Sequence, residues 1–139
     1  MKIYNSDRFD RLPDAFLFDT DNTLYDYNPA HKFAIQAVRS KAIEKLRITG
    51  AEFDEVFTKS KRQVKDRIPG TAASHSRLLY FQCFVENLGL GSQVLLALEF
   101  EQTYWRTFLS KAILFDDVIE VLDDIRLLGI PMAIVTDLT

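Results

Sequence analysis

Cysteine is almost absent from this chain. Cys83 stands alone among 139 residues, so no intrachain disulfide can form and no pair of thiolates exists at zinc-site spacing. That favours a reducing compartment. Long apolar runs are missing as well: the opening MKIYNSDRFDRLPD lacks the apolar core of a signal peptide, and no stretch reaches the roughly 18–20 apolar residues of a bilayer span. A cytoplasmic location with no membrane partner is the expectation. Nor is there an excess of positive charge. Lys and Arg number 17 against 20 Asp and Glu, a net charge of −3, which removes the electrostatic basis for tight nucleic-acid binding by the whole chain. Repeats and low-complexity tracts are also lacking.

What is present is a globular composition. Hydrophobic residues make up 47% and charged residues 27%, enough for one buried core, and the length suits one domain, so a second lobe would have to be an insertion. The run Ala15-Phe16-Leu17-Phe18 is apolar without alternation, which predicts a short strand buried on both faces of a parallel sheet. Pro131 to Thr136 predicts a second. Between them the apolar spacing predicts five helices. The first runs from Pro29 to about Arg47 on a stripe of Ile35, Val38, Ala42 and Leu46. The second carries Phe53, Phe57, Val64 and Ile68 and closes at Pro69-Gly70; the third carries Leu78, Phe81, Val85 and Leu88 and stops at Gly89. The fourth follows Ser92 as N-cap and has two apolar faces, Val94/Leu98/Trp105 and Leu96/Phe100/Tyr104/Phe108, predicting packing on both sides. The fifth spans about Asp116 to Leu128 and ends at Gly129. The expected organisation is a partial α/β core (1–28 and 114–139) with an inserted helical cap (29–113).

The chemistry gathers after the first strand, in Asp19-Thr20-Asp21-Asn22-Thr23-Leu24-Tyr25. Ligands of open α/β sheets bind at the carboxyl ends of strands, and here two carboxylates and a hydroxyl stand at i, i+2 and i+4. A calcium loop is rejected, because it needs Gly at its sixth position and Glu at its twelfth, where Leu24 and Ala30 stand. An Asx-rich turn that merely caps the strand is the bland alternative.

With its apolar run, its D-x-D-x-T, a helical insertion directly after it and a second apolar strand ending in Thr136-Asp137, the chain resembles the haloacid dehalogenase superfamily of hydrolases. The likeness is closest to the phosphatase branch with a helical cap. It implies a Rossmann-like α/β core, present here as far as the second strand, and Mg²⁺-dependent phosphomonoester hydrolysis of a small phosphorylated metabolite such as a sugar phosphate or nucleotide. Asp19 would attack phosphorus to form an aspartyl-phosphate and would bind Mg²⁺. Asp21 would protonate the leaving oxygen, then deprotonate water, while its backbone carbonyl served as a second metal ligand. Thr23 and Thr136 would hydrogen-bond the transferred phosphoryl oxygens. Asp21 argues for phosphoryl transfer, since a halide leaves without a proton. A phosphomutase of the same family, or a binding or assembly module without catalysis, are the alternatives.

Two departures stand out. Thr20 occupies a position that is usually apolar. The Lys expected after the second motif and the acidic pair of a later strand have no counterpart, since three residues follow Thr136. The chain alone is therefore expected to bind Mg²⁺ poorly and to be inactive, with a homo-oligomer or a complementing chain supplying missing strands.

Weaker signals lie in the insertion. The loop Pro69–Arg77 offers His75 and Arg77 as substrate contacts, Arg because its fork suits phosphate; the alternative is a Ser-rich helix start with an exposed Arg. Lys59, Lys61, Arg62, Lys65 and Arg67 read as a solvated helix face, with steering of an anionic substrate the alternative. Tyr25, Asp26 and Tyr27 could line an entrance or pack the insertion, and His31 has no assigned role.

Overall fold

A computed structural model describes residues 11–136. In chain order come β1 (Phe16–Phe18), α1 (Tyr27–Leu46), α2 (Gly50–Arg67), one 3-10 turn (Ala72–His75), α3 (Arg77–Asn87), α4 (Val94–Lys111), α5 (Val118–Leu127) and β2 (Met132–Ile134). The described residues divide into two compact units, 11–27 with 112–136, and 28–111. No helix among them is long and apolar enough to cross a membrane.

In the first unit β1 and β2 pair in parallel, with Phe16 opposite Met132, Leu17 opposite Ala133 and Phe18 opposite Ile134. A parallel neighbour needs a crossover, and α5 supplies it, burying Val118 and Ile125. Gly129 then takes the left-handed φ of +68° that turns the chain into β2. The expectation of strands buried on both faces is corrected. Leu17 is 70% exposed and Ile134 62%, because only two strands pair among the described residues and each keeps an open edge.

The second unit is helical throughout. Its α1 buries Ala30, Ala34, Val38 and Ala42, a stripe of small residues at i, i+4 that lets neighbouring side chains approach closely; Ile35 and Leu46, expected on that stripe, are only half-buried. At the start of α2 a complete capping box forms between Thr49 and Glu52. Gly50 beside it matters for space, since a Cβ there would lie 1.9 Å from Arg39 Nη2. Through that gap the Arg39 guanidinium reaches Asp54 at 3.0 Å.

Like α4, which meets α3 through Phe100 and α1 through Tyr104, α3 has helical neighbours on two sides. It packs against both α2 and α4 and buries Tyr80, Phe81, Cys83, Phe84 and Val85. On α4 the fully buried residues are Ala97, Phe100, Tyr104 and Phe108; of the other expected face Leu98 and Trp105 are half-buried and Val94 is 46% exposed. Ser92 is not its cap either: the Gln93 carbonyl accepts the first amides, from Leu96 and Ala97. The core is aromatic, with Phe84 5.1 Å from Phe53 and 6.2 Å from Phe100 between ring centroids.

Candidate functional site

Chain direction sets the site. Parallel strands end at the same side, so the residues after Phe18 and after Ile134 are brought together. Beyond the ladder the Val135 amide donates to the Phe18 carbonyl at 2.8 Å. This places Thr136 Oγ1 2.8 Å from Thr20 Oγ1.

The segment after β1 doubles back on itself. Thr23 and Leu24 amides both donate to the Thr20 carbonyl, at 3.2 and 2.9 Å, and the Asn22 amide donates to the Tyr25 carbonyl at 2.8 Å. Asn22 takes the left-handed φ of +60°, which its short polar side chain tolerates, and its Oδ1 accepts from the Tyr27 amide at 3.2 Å. The Asn22 side chain thus braces the turn from within, reaching an amide five residues on. The turn also has a chemical consequence, because it returns Tyr25 to Asp21.

Tyr25 Oη donates to Asp21 Oδ1 at 2.5 Å. Burial, first, then the bond to Asp21 and the negative charges of Asp21 and Asp19, push the Tyr25 phenol up to about 12, against a lowering hydrogen bond from Thr20. The phenol keeps its proton near neutrality and acts as a donor. Two hydroxyl contacts thus stand after the strands, Thr136 with Thr20 and Tyr25 with the Asp21 carboxylate.

Of the predicted residues in this unit, Asp21 is half-buried, while Asp19, Thr23 and Thr136 are exposed. Thr136 meets Thr20, the residue between Asp19 and Asp21. Thr23 instead lines a small apolar pocket with Phe18, Leu24, Val118 and Val121. Among the described residues no three His, Cys, Asp or Glu side chains cluster to hold a metal ion. The donors that Asp19 and Asp21 offer are oxygens alone, which suits a hard cation that keeps several waters and takes one or two carboxylates. The roles of Thr20 and Tyr25 were missed by sequence reasoning. Thr20 showed only as a polar residue at an apolar position, and a Tyr four residues after Asp21 was the available signal.

His75 and Arg77 belong to the helical unit. Ser76 caps α3, accepting from the Leu79 amide at 3.4 Å, as the Ser-rich reading expects. The Arg is not exposed, however. It is half-buried, with Cζ 5.2 Å from the Tyr104 ring centre, 5.7 Å from Tyr80 and 5.9 Å from Trp105, and Nη1 donates to the His75 carbonyl at 2.6 Å. His75 itself is exposed.

His31, left without a role in the sequence, places Nδ1 2.7 Å from Tyr104 Oη. Burial, then the charges of Arg77 and Lys61, lower its pKa to about 4. Lys61 is likewise pushed down, by burial and then by Lys65 and Arg77. His31, Lys61 and Arg77 thus share one positive field, although Lys61 and its neighbours Lys59, Arg62 and Arg67 lie on the solvated face that α2 was expected to present.

Two parallel strands, one ending in Asp-x-Asp-x-Thr and the other in Thr, with a helical unit between them in sequence, define a hydrolase of the haloacid dehalogenase type. The sequence pattern of the haloacid dehalogenase-like hydrolases matches residues 13–137, and the chain belongs to that family. It is also 39% identical over 131 residues to the ribulose-1,5-bisphosphate 5-phosphatase of Halopiger xanaduensis, a match covering 90% of this chain and 53% of that protein. The chain spans about half the length of this curated relative.

Proposed function

We propose that the protein carrying this chain is a Mg²⁺-dependent phosphatase that cleaves a phosphomonoester of a phosphorylated sugar through an aspartyl-phosphate on Asp19. The observation that carries this reading is the meeting of Thr20 and Thr136 at the carboxyl ends of paired parallel strands, with Asp19 and Asp21 on either side of Thr20. Asp19 would be the nucleophile, Asp21 the acid and then the base, and Thr23 and Thr136 the donors to the phosphoryl oxygens. The Asp19 carboxylate and the Asp21 backbone carbonyl would hold Mg²⁺, which when bound supplies charge neutralisation between nucleophile and phosphate. A cytoplasmic setting belongs to this reading, on the strength of the lone Cys83.

The sugar class rests on the 39% identical relative, whose name specifies a bisphosphorylated sugar. The positive charges of Lys61 and Arg77, which with burial keep His31 neutral, support an anionic group away from the scissile phosphate, with Arg77 as its partner and His75 beside it. The test is phosphate release by the full-length protein from pentose bisphosphates, with and without Mg²⁺. Release that survives chelation, or that persists in Asp19→Asn once a contaminating phosphatase is excluded, overturns the reading.

A further inference from the structure

The turn after β1 devotes three backbone hydrogen bonds and a left-handed Asn22 to a single result, the return of Tyr25 to Asp21. Nothing in the chemistry assigned to Asp19, Asp21, Thr23 and Thr136 uses Tyr25. Its hydroxyl nonetheless sits 2.5 Å from Asp21 Oδ1.

We propose that Tyr25 is a positioning residue for the acid–base work of Asp21: its O–H occupies Oδ1, so Oδ2 is left as the atom that carries the transferable proton. This rests on the phosphatase reading above. A carboxyl group has two oxygens and free rotation about χ2, so a proton on it can face the wrong way as easily as the right one. A donated hydrogen bond at one oxygen bars the proton from that oxygen and stops the rotation. The geometry is then set before substrate arrives, which is where orientation contributes to rate. Tyr25 is held in turn by its own backbone carbonyl on the Asn22 amide and by the bridge from Tyr25 to Leu114, so the ring is anchored at both ends of its residue.

Leaving-group chemistry separates this role from a structural one. An alkyl alcohol leaves a phosphate only if it is protonated, whereas p-nitrophenolate leaves unaided, so a defect in presenting the Asp21 proton appears with the first and not the second. The experiment compares full-length wild type and Tyr25→Phe in single-turnover phosphoryl transfer to Asp19, from glycerol phosphate and from p-nitrophenyl phosphate. Single turnover isolates the first step from the later activation of water. Loss of one hydroxyl that orients a catalytic group is expected to slow transfer from glycerol phosphate about 10-fold or more, with KM within about twofold and transfer from the aryl ester reduced less than about threefold. Equal losses on both esters, no loss on either, or a change in KM alone overturns the positioning role and leaves the phosphatase reading intact. Wild type that transfers phosphate from neither ester overturns the phosphatase reading, and the positioning role with it. The Tyr25→Phe thermal midpoint, measured alongside, should stay within a few degrees of wild type; a collapse of the fold would show Tyr25 to be structural and also count against the proposal.

Discussion

His31 Nδ1 and Tyr104 Oη, 73 residues apart, lie 2.7 Å from each other and tie the start of α1 to the middle of α4. Burial, with the charges of Arg77 and Lys61 added, lowers the His31 pKa to about 4 from an ordinary 6.5. The folded chain therefore binds the His31 proton more weakly than the unfolded chain. Between about pH 6.5 and 4 the unfolded state takes up a proton that the folded state refuses, so the stability that neutral His31 permits is full above 6.5 and is lost as pH falls toward 4. His31 is only about half-buried, so solvent screening holds the loss to about 1–2 kcal/mol. Thermal midpoints measured at pH 7 and pH 4.5 should fall more steeply for wild type than for His31→Gln, which has no proton to gain. Parallel slopes would count against it.

In the proposed reaction Asp21 would serve two half-reactions in opposite protonation states, as acid to the leaving oxygen and as base to water. Asp21→Asn should slow both, by about 10²–10⁴-fold each, the usual contribution of a positioned acid or base. If water activation becomes the slower step, the phospho-enzyme accumulates. Intact-mass measurement of the full-length variant after mixing with an aryl phosphate should then show the added phosphoryl mass, which Asp19→Asn cannot show. Phosphorylation of the Asp19→Asn protein would place the nucleophile elsewhere.

Arg77 was offered by the sequence as either a substrate contact or an exposed Arg at a helix start, and the structure gives it a third setting, among the rings of Tyr80, Tyr104 and Trp105. If it pairs with an anionic group away from the reacting phosphate, Arg77→Ala should raise KM for a sugar bisphosphate about 10-fold or more and leave p-nitrophenyl phosphate nearly unchanged. The aromatic cluster makes a control necessary, because the guanidinium also packs. Arg77→Met keeps much of the packing; if it restores stability but not KM, the charge is what the substrate reads. An equal rise in KM for both esters in Arg77→Ala, or no rise for either, would remove Arg77 from substrate recognition.

How much was legible follows from the range of the forces involved. The five helices and both strands were readable because apolar spacing and Gly punctuation are local: Gly70, Gly89 and Gly129 all take positive φ where a helix or turn was expected to end. The D-x-D-x-T turn was readable for the same reason. Which apolar faces are covered was not. Both α3 and α4 carry apolar residues on more than one side, and only tertiary packing decides that Phe84 of α3 is buried while Val94 of α4 stays in solvent. Side-chain partners separated in sequence were equally hidden. Thr20 meets Thr136 across 116 residues, and His31 meets Tyr104 across 73, so a local pattern shows neither. The contact of Tyr25 with Asp21 is the one that a local reading could have found, since it spans four residues within one turn.

The aromatic core separates two phenylalanines that composition alone treats alike. Phe100 on α4 is fully buried, with its ring 6.0 Å from Phe81 and 6.2 Å from Phe84, so it joins α4 to α3 at the centre of the helical unit. Phe33 on α1 is 56% exposed, with Lys111 Nζ 5.4 Å from its ring centre. Truncating a buried ring removes its transfer free energy and leaves a cavity that neighbours only partly fill, about 3–5 kcal/mol. An exposed ring loses little burial and, at most, a solvent-screened cation–π contact of about 0.5–1 kcal/mol. A domain of this size has only about 5–15 kcal/mol in hand, so Phe100→Ala should lower the denaturation midpoint severely, or leave the helical unit unfolded, while Phe33→Ala should move it by little. Urea titration followed by far-ultraviolet circular dichroism measures both. If the two variants lose similar stability, Phe100 does not occupy the packed position between α3 and α4.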